Sequence, residues 1–353
     1  MRGPIIIPGM HSKLAALCQT MLALIVFVLA SSFGSLEDPC TGLQQQINKT
    51  YGFRPSRLTE EQKTAKSALM DEFWKRVKAA PKELGPCLKT ALEMPNADGW
   101  FKIDGSGLLV EIDPSHDSKE LKARLWCAGD LDDVDLRLWM QTLASLGNEG
   151  FDVSEAGRRW LAEKDPSFAV PEHAMQVARR GGAVFLFGSM DEALATPALE
   201  KLASDPKVPH RDLALDLLSR QATPDALRAL KRIDLSTYPK KTRDGVTPLL
   251  GRPPLVTKRS GSGNVTRASL LAAFKAYLAG DGKPLDKTME LAQGKSNEHW
   301  PGQVSGSLLD EDVPLLRQVR RKRATVFSDE ALEDYETYTH ILMTLVWKPE
   351  YVK

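Results

Sequence analysis

Ala195-Thr196-Pro197-Ala198-Leu199-Glu200-Lys201-Leu202 is echoed further along the chain by Ala222-Thr223-Pro224-Asp225-Ala226-Leu227-Arg228-Ala229-Leu230. The shared Ala-Leu-x-x-Leu core recurs with a 28-residue offset, from Ala198 to Ala226. In each copy threonine reads as an N-cap and proline as the first helical residue, where a missing amide costs nothing. Asp205-Pro206 reads as a turn between them, and His210 to Leu218 as an intervening helix. This pattern predicts a helical hairpin and the start of the next one. Leu199, Leu202, Leu217, Leu218, Leu227 and Leu230 are its expected core, and Lys201 and Arg228 its expected exposed positions.

With its turn proline, its arginine early in the second helix and its Ala-x-x-Leu-Leu row, the stretch resembles a HEAT-type helical repeat over about 40 residues. The resemblance implies an α-solenoid and no particular partner. Helical periodicity continues on both sides of it. Upstream, Thr59-Glu60-Glu61-Gln62 has the form of a capping box, followed by Ala65, Leu69, Phe73 and Val77 on one stripe with Trp74 beside them. Pro81 closes that helix, and a second segment from Leu84 to Met94 is closed by Pro95. From Ser115 onward, Leu121 and Leu125, then Val134, Leu138 and Trp139, then Ala156 and Trp160 mark successive helical faces. Helices resume at Thr266 with Leu270, Phe274 and Leu278 in register. A last pair runs from Val313 to Thr325 and from Ser328 to Trp347, the latter carrying Leu332, Tyr335, Thr339, Leu342 and Val346 on one face.

Two stretches read differently. Trp100-Phe101-Lys102-Ile103 and Leu108-Leu109-Val110-Glu111-Ile112 are β-rich runs around Asp104-Gly105-Ser106-Gly107, which predicts a β-hairpin. Ser236 to Asn264 carries four prolines and a Ser260-Gly261-Ser262-Gly263 run, which predicts a linker or long loop. The expected fold is therefore all-α: a short α-solenoid of HEAT-like helical hairpins, with one small β-hairpin insertion and a C-terminal helical unit. Its expected divisions are residues 1–32, 33–96 (an N-terminal helical segment), 97–113 (the hairpin), 114–235 (the HEAT-like region), 236–265 (the linker) and 266–353 (the C-terminal unit).

Residues 1–32 read as a secretory signal. Arg2 and Lys13 precede an uncharged apolar stretch from Leu14 to Ala30, and small residues follow it, with cleavage expected after Ser32 or Gly34. The alternative is an uncleaved anchor, for which the stretch falls just short of the roughly 20 apolar residues that span a bilayer. The expected location is periplasmic or secreted, with membrane contact only through this segment if it is kept. The net charge of +1 includes two basic residues of the signal, so the remainder carries −1, which argues against a nucleic-acid partner. Cys18 leaves with the signal, and the other three cysteines enter an oxidising compartment. Cys40 and Cys87 lie in loop- or turn-like contexts and make the preferred disulfide. Cys127 lies in a helical pattern and reads as buried. The order of signal, capped helix, Cys87 turn, hairpin, repeat region and Tyr335-x-x-Tyr338-x-His340 helix is similar to a group of secreted bacterial helical-repeat proteins. That resemblance implies no transferable activity.

Motifs for chemistry are sparse. Gly294-Lys295-Ser296 lacks the rest of a phosphate loop. Asp130, Asp132, Asp133 and Asp135 lack the glycine and glutamate of a calcium loop. HEAT-like arrays can house a di-iron site built from His-Glu pairs, but none of the six histidines is followed by glutamate. Glu336 and His340, one turn apart, read as a surface pair. No cofactor and no metal is expected. Arg317, Arg320, Arg321, Lys322 and Arg323 form one dense basic run on a helix. It is either a solvated face or an interaction patch for an acidic partner or a phosphate head group. The expected function is a non-catalytic exported scaffold that binds another protein. The alternative is a hydrolase-like enzyme of the cell envelope, its site assembled from His173, His210, His299, His340 and scattered carboxylates.

Overall fold

The computed structural model describes residues 39–51, 60–129, 136–162, 172–251, 265–293 and 300–346. The signal-like segment, the aspartate run at 130–135, Gly294-Lys295-Ser296 and His299 lie outside them. The described residues form seventeen α-helices and two short 3-10 turns, with no strand among them. The chain divides into two compact units, Met1–Asp113 and Pro114–Lys353.

The first unit contains α1 (Pro39–Tyr51), α2 (Glu60–Ala79), α3 (Pro81–Glu93) and α4 (Gly99–Ile112). Leu43, Ile47 and Tyr51 on α1 meet Phe73 and Val77 on α2 and Leu88 and Leu92 on α3, all of them buried. Tyr51, Phe73 and Phe101 stack edge to face or tilted, with ring centroids 5.3 to 6.4 Å apart. Cys40 and Cys87 are joined as a disulfide with Cα atoms 5.0 Å apart, tying the first turn of α1 to α3. Both cysteines are helical, not in loops as expected: α1 begins at Pro39, and α3 begins at Pro81 and continues through Pro86.

The expected β-hairpin is overturned. Trp100 to Ile112 is one helix, opened by Asp98, whose carboxylate accepts from Phe101 N at 3.1 Å. Its apolar residues show no single stripe because α4 is buried on several sides, at Phe101, Ile103, Leu108 and Leu109. That even distribution of apolar residues mimics strand alternation. Gly105 serves close packing instead of a turn, since a Cβ there would come within 3.0 Å of Leu92 Cδ2 and Phe101 Cε2.

The second unit opens with α5 (His116–Ala128), α6 (Leu136–Asn148), α7 (Ser154–Ala162) and α8 (Glu172–Gly188). It continues through α9 (Glu192–Ser204), α10 (Arg211–Ser219), α11 (Pro224–Arg232) and α12 (Lys240–Gly251). Helices adjacent in the chain pack as neighbours, α9 with α10 most extensively. Tryptophans lock successive elements. Trp139 Nε1 donates to the Trp126 carbonyl at 2.9 Å and Trp160 Nε1 to that of Arg179 at 2.9 Å. Arg179 donates back to the Trp160 carbonyl at 2.5 Å. Cys127 is buried, and burial pushes its thiol up to about 11.

The six repeat leucines are all buried. The two Thr-Pro copies nevertheless differ. Thr223 caps α11 through Ala226 N at 3.0 Å, with Pro224 in the first turn. In the first copy the helix begins earlier, capped by Asp191, whose carboxylate accepts from Ala193 N at 2.9 Å, so Thr196 and Pro197 lie inside α9. An aspartate five residues upstream outcompetes the threonine as cap. The linker expectation also fails over its first half. Tyr238 is buried and donates to the Ala203 carbonyl, and α12 follows at Lys240. Pro239 stands just before that helix, where proline is tolerated. Residues 252–264 lie outside the described set.

The unit ends with α13 (Arg267–Leu278), α14 (Lys283–Gln293), α15 (Trp300–Ser307), α16 (Val313–Arg323) and α17 (Asp329–Val346). Thr266 and Ser269 cap α13 reciprocally. Leu270, Phe274, Leu285, Val304, Leu316, Val319, Ile341 and Leu342 share one core. α17 also lies on α8: a Cβ on Gly188 would come within 2.7 Å of the buried Tyr335 ring, and Phe185 stacks on Phe327 at 4.6 Å.

Candidate functional site

A cavity of about 450 Å³ opens between α7 and α9. Ala193, Pro197, Ala198 and Ala162 are small or compact, so the two helices leave a groove instead of interdigitating, and Leu194, Leu202 and Val208 floor it. The rim is charged. Arg158 holds Glu155 through two contacts of 2.7 and 2.5 Å, and this hydrogen bonding keeps the Glu155 carboxyl below its ordinary range. Lys201 stands on the same rim. Asp152 and Asp205, which also line the groove, accept from backbone amides of their own turns, Ser154 N and Lys207 N, each at 2.8 Å. No feature of the sequence flagged this groove, because it arises from small side chains on two helices that only packing brings together.

The residues of the basic run, read as a solvated face or an interaction patch, make contacts within the chain. Arg320 is 1 % exposed and donates to Glu192 at 2.9 Å, while Arg321 bridges Asp191 and Glu192 at 2.9 Å each. Arg320 also donates to the carbonyls of Arg220 and Gln221, and Arg317 to that of Ala222, all just past the end of α10. Lys322 donates to the Tyr277 and Leu278 carbonyls, which close α13. Arg323 is paired with Asp334 and lies 3.7 Å from Asp286. The run thus neutralises acids of the same chain and caps two helix C-termini, where cations are favoured. Burial lowers the pKa of Arg317, with Arg320 and Arg321 lowering it further against the opposing pull of Glu192 and Asp191. Glu336, read as part of a surface pair with His340, instead contacts Arg180 at 2.6 Å and also pairs with Arg220.

The histidines are scattered. His210 stands at the N-cap of α10 but does not cap it through its side chain, His340 is exposed on α17, and His173 is in α8. Neither His210 nor His340 lines the groove. His116, Asp117 and Glu120 place ligand-type atoms within 4.8 Å of one another, but all three are exposed on the first turns of α5, where the helix dipole repels a cation.

One carboxyl of the first unit is strongly perturbed. Burial, followed by the charge of Asp98, raises Asp104 to about 6 against the opposing charge of Lys66. A carboxyl raised in the folded state stabilises the fold below its unfolded pKa, near 4, and loses that contribution as pH rises through 6. The first unit should therefore lose about 1 to 2 kcal/mol between pH 4 and pH 7.5, after discounting for partial solvent screening. Asp104→Asn should remove this slope in urea titrations at the two pH values. An unchanged slope in the variant would refute the assignment.

Among the described residues, no helix is long and apolar enough to cross a membrane. Comparison with protein-family models, with curated proteins and with solved structures finds no match to this chain.

Proposed function

We propose that this chain is an exported, non-catalytic scaffold of HEAT-like helical hairpins that binds a segment of another protein in the groove between α7 and α9. The observation that carries this reading is the groove itself, lined by the apolar Leu194, Leu202 and Val208 and by the carboxylates Asp152 and Asp205. Those features suit a short peptide segment with apolar side chains for the floor and a lysine or arginine for the rim. The Cys40–Cys87 disulfide is compatible with an oxidising compartment and supports export.

Filling the groove with Ala198→Trp should abolish retention of a defined set of envelope proteins on the immobilised chain. The distant exposed Arg228→Ala should leave that set unchanged. Equal retention by Ala198→Trp and wild type would overturn the groove assignment. Export is tested separately by sequencing the mature N-terminus, expected at Phe33 or Ser35. Recovery of an intact Met1 chain from the cytosol would overturn it.

A further inference from the structure

Asn48-Lys49-Thr50 has the Asn-x-Thr form, with a middle residue other than proline, at which an asparagine amide can accept a sugar on an exported chain. Asn96, Asn148 and Asn297 open no such triplet. Asn264 does, but lies outside the described residues. The triplet by itself is short, and the placement of α1 gives it weight.

α1 buries Leu43, Ile47, Thr50 and Tyr51, and turns Asn48 and Lys49 to solvent together with Gln45 one turn before them. Gln44 donates to Asn48 Oδ1 at 3.2 Å. That bond uses the oxygen, whereas an attached sugar is carried on Nδ2. A bulky polar group on Asn48 therefore leaves the packed face of α1 untouched.

Thr50 is 2 % exposed in the folded chain, so a transferase that engages its hydroxyl must act before α1 docks. The order of elements supplies that interval. α1 docks on Phe73, Cys87 and Phe101, all of them later in the chain. Cys87 follows Cys40 by 47 residues, about 2 to 9 s at ordinary synthesis rates of roughly 5 to 20 residues per second. Until then α1 has no partner to fold against, and an isolated helix of 13 residues is marginal in water.

We propose that Asn48 is an N-glycosylation site, filled before α1 packs and left on the surface by the folded chain. This rests on the export reading above, since the sugar donor meets the chain only on that route. Nδ2 of Asn48 forms a bond to the anomeric carbon of an oligosaccharide carried on a lipid diphosphate. The bond from that carbon to the phosphate oxygen breaks, the lipid diphosphate leaves with the electron pair, and one Nδ2 proton passes to a base of the transferase.

The test is intact-mass measurement and tandem mass spectrometry of the chain recovered from its native host, with the N-terminus of the same sample sequenced. The expected result is a mass excess over the polypeptide that fragments as sugar and maps to Asn48. Asn48→Gln alters an exposed position and should abolish that excess. Thr50→Val keeps the side-chain volume, removes the hydroxyl and should abolish it as well. The proposal is overturned by a signal-cleaved chain of unmodified mass, by sugar on Asn264 alone, or by sugar retained on Asn48 in Thr50→Val. A signal-cleaved, unmodified chain leaves the export reading standing, whereas an unmodified chain that begins at Met1 overturns both.

Discussion

Glu192→Ala should destabilise the second unit by about 3 to 5 kcal/mol. Glu192 lies buried at the start of α9 and accepts from both Arg320 and Arg321 at 2.9 Å. Removing it leaves the Arg320 guanidinium, 1 % exposed, with carbonyl and hydroxyl partners and the Tyr335 ring 5.5 Å away, and with no carboxylate bonded to it among the described residues. The cost comes chiefly from that unpaired buried charge and much less from the lost attraction. Glu192→Leu combined with Arg320→Met should therefore recover most of the loss, because an apolar pair of similar volume needs no compensation. Urea unfolding of the two single variants and the double variant measures this directly. A double variant no more stable than the worse single one would show that the pair contributes through its bonds alone.

Each of the repeat leucines truncated to alanine should cost about 2 to 5 kcal/mol. Leu199, Leu202, Leu217, Leu218, Leu227 and Leu230 are all 5 % exposed or less, and α9, α10 and α11 pack directly on one another. Truncation leaves a cavity that neighbouring helices cannot fill without moving. Lys201→Ala and Arg228→Ala, exposed on the same helices, should stay within about 0.5 kcal/mol of wild type. Thermal unfolding that shows equal small effects at both classes of position would mean that these three helices do not form one stacked core.

Positions whose state is set within a few residues of chain were legible in advance. Thr223 caps α11, and Phe73 and Val77 bury the same face of α2. Competition among local signals was harder to read: Asp191 captures the start of α9 and leaves Thr196-Pro197 inside it, although the same dipeptide type opens α11. The candidate groove was not legible at all. Its floor and rim come from two helices and a turn, and the small residues that create it look like ordinary helix formers in isolation.

The sequence by itself determined that the described residues are mostly helical and that the six repeat leucines are buried, because caps and 3.6-residue periodicity act within a turn or two. Tertiary structure alone decided that Trp100 to Ile112 is a helix, since burial of α4 on several sides removes the stripe by which a helix is read. It also decided the fate of the arginine run. Arg320 meets Glu192 across 128 residues of sequence, and that contact turns an apparent surface charge into a buried pair. Burial and charge pairing depend on which distant elements become neighbours, and local sequence carries no record of that choice.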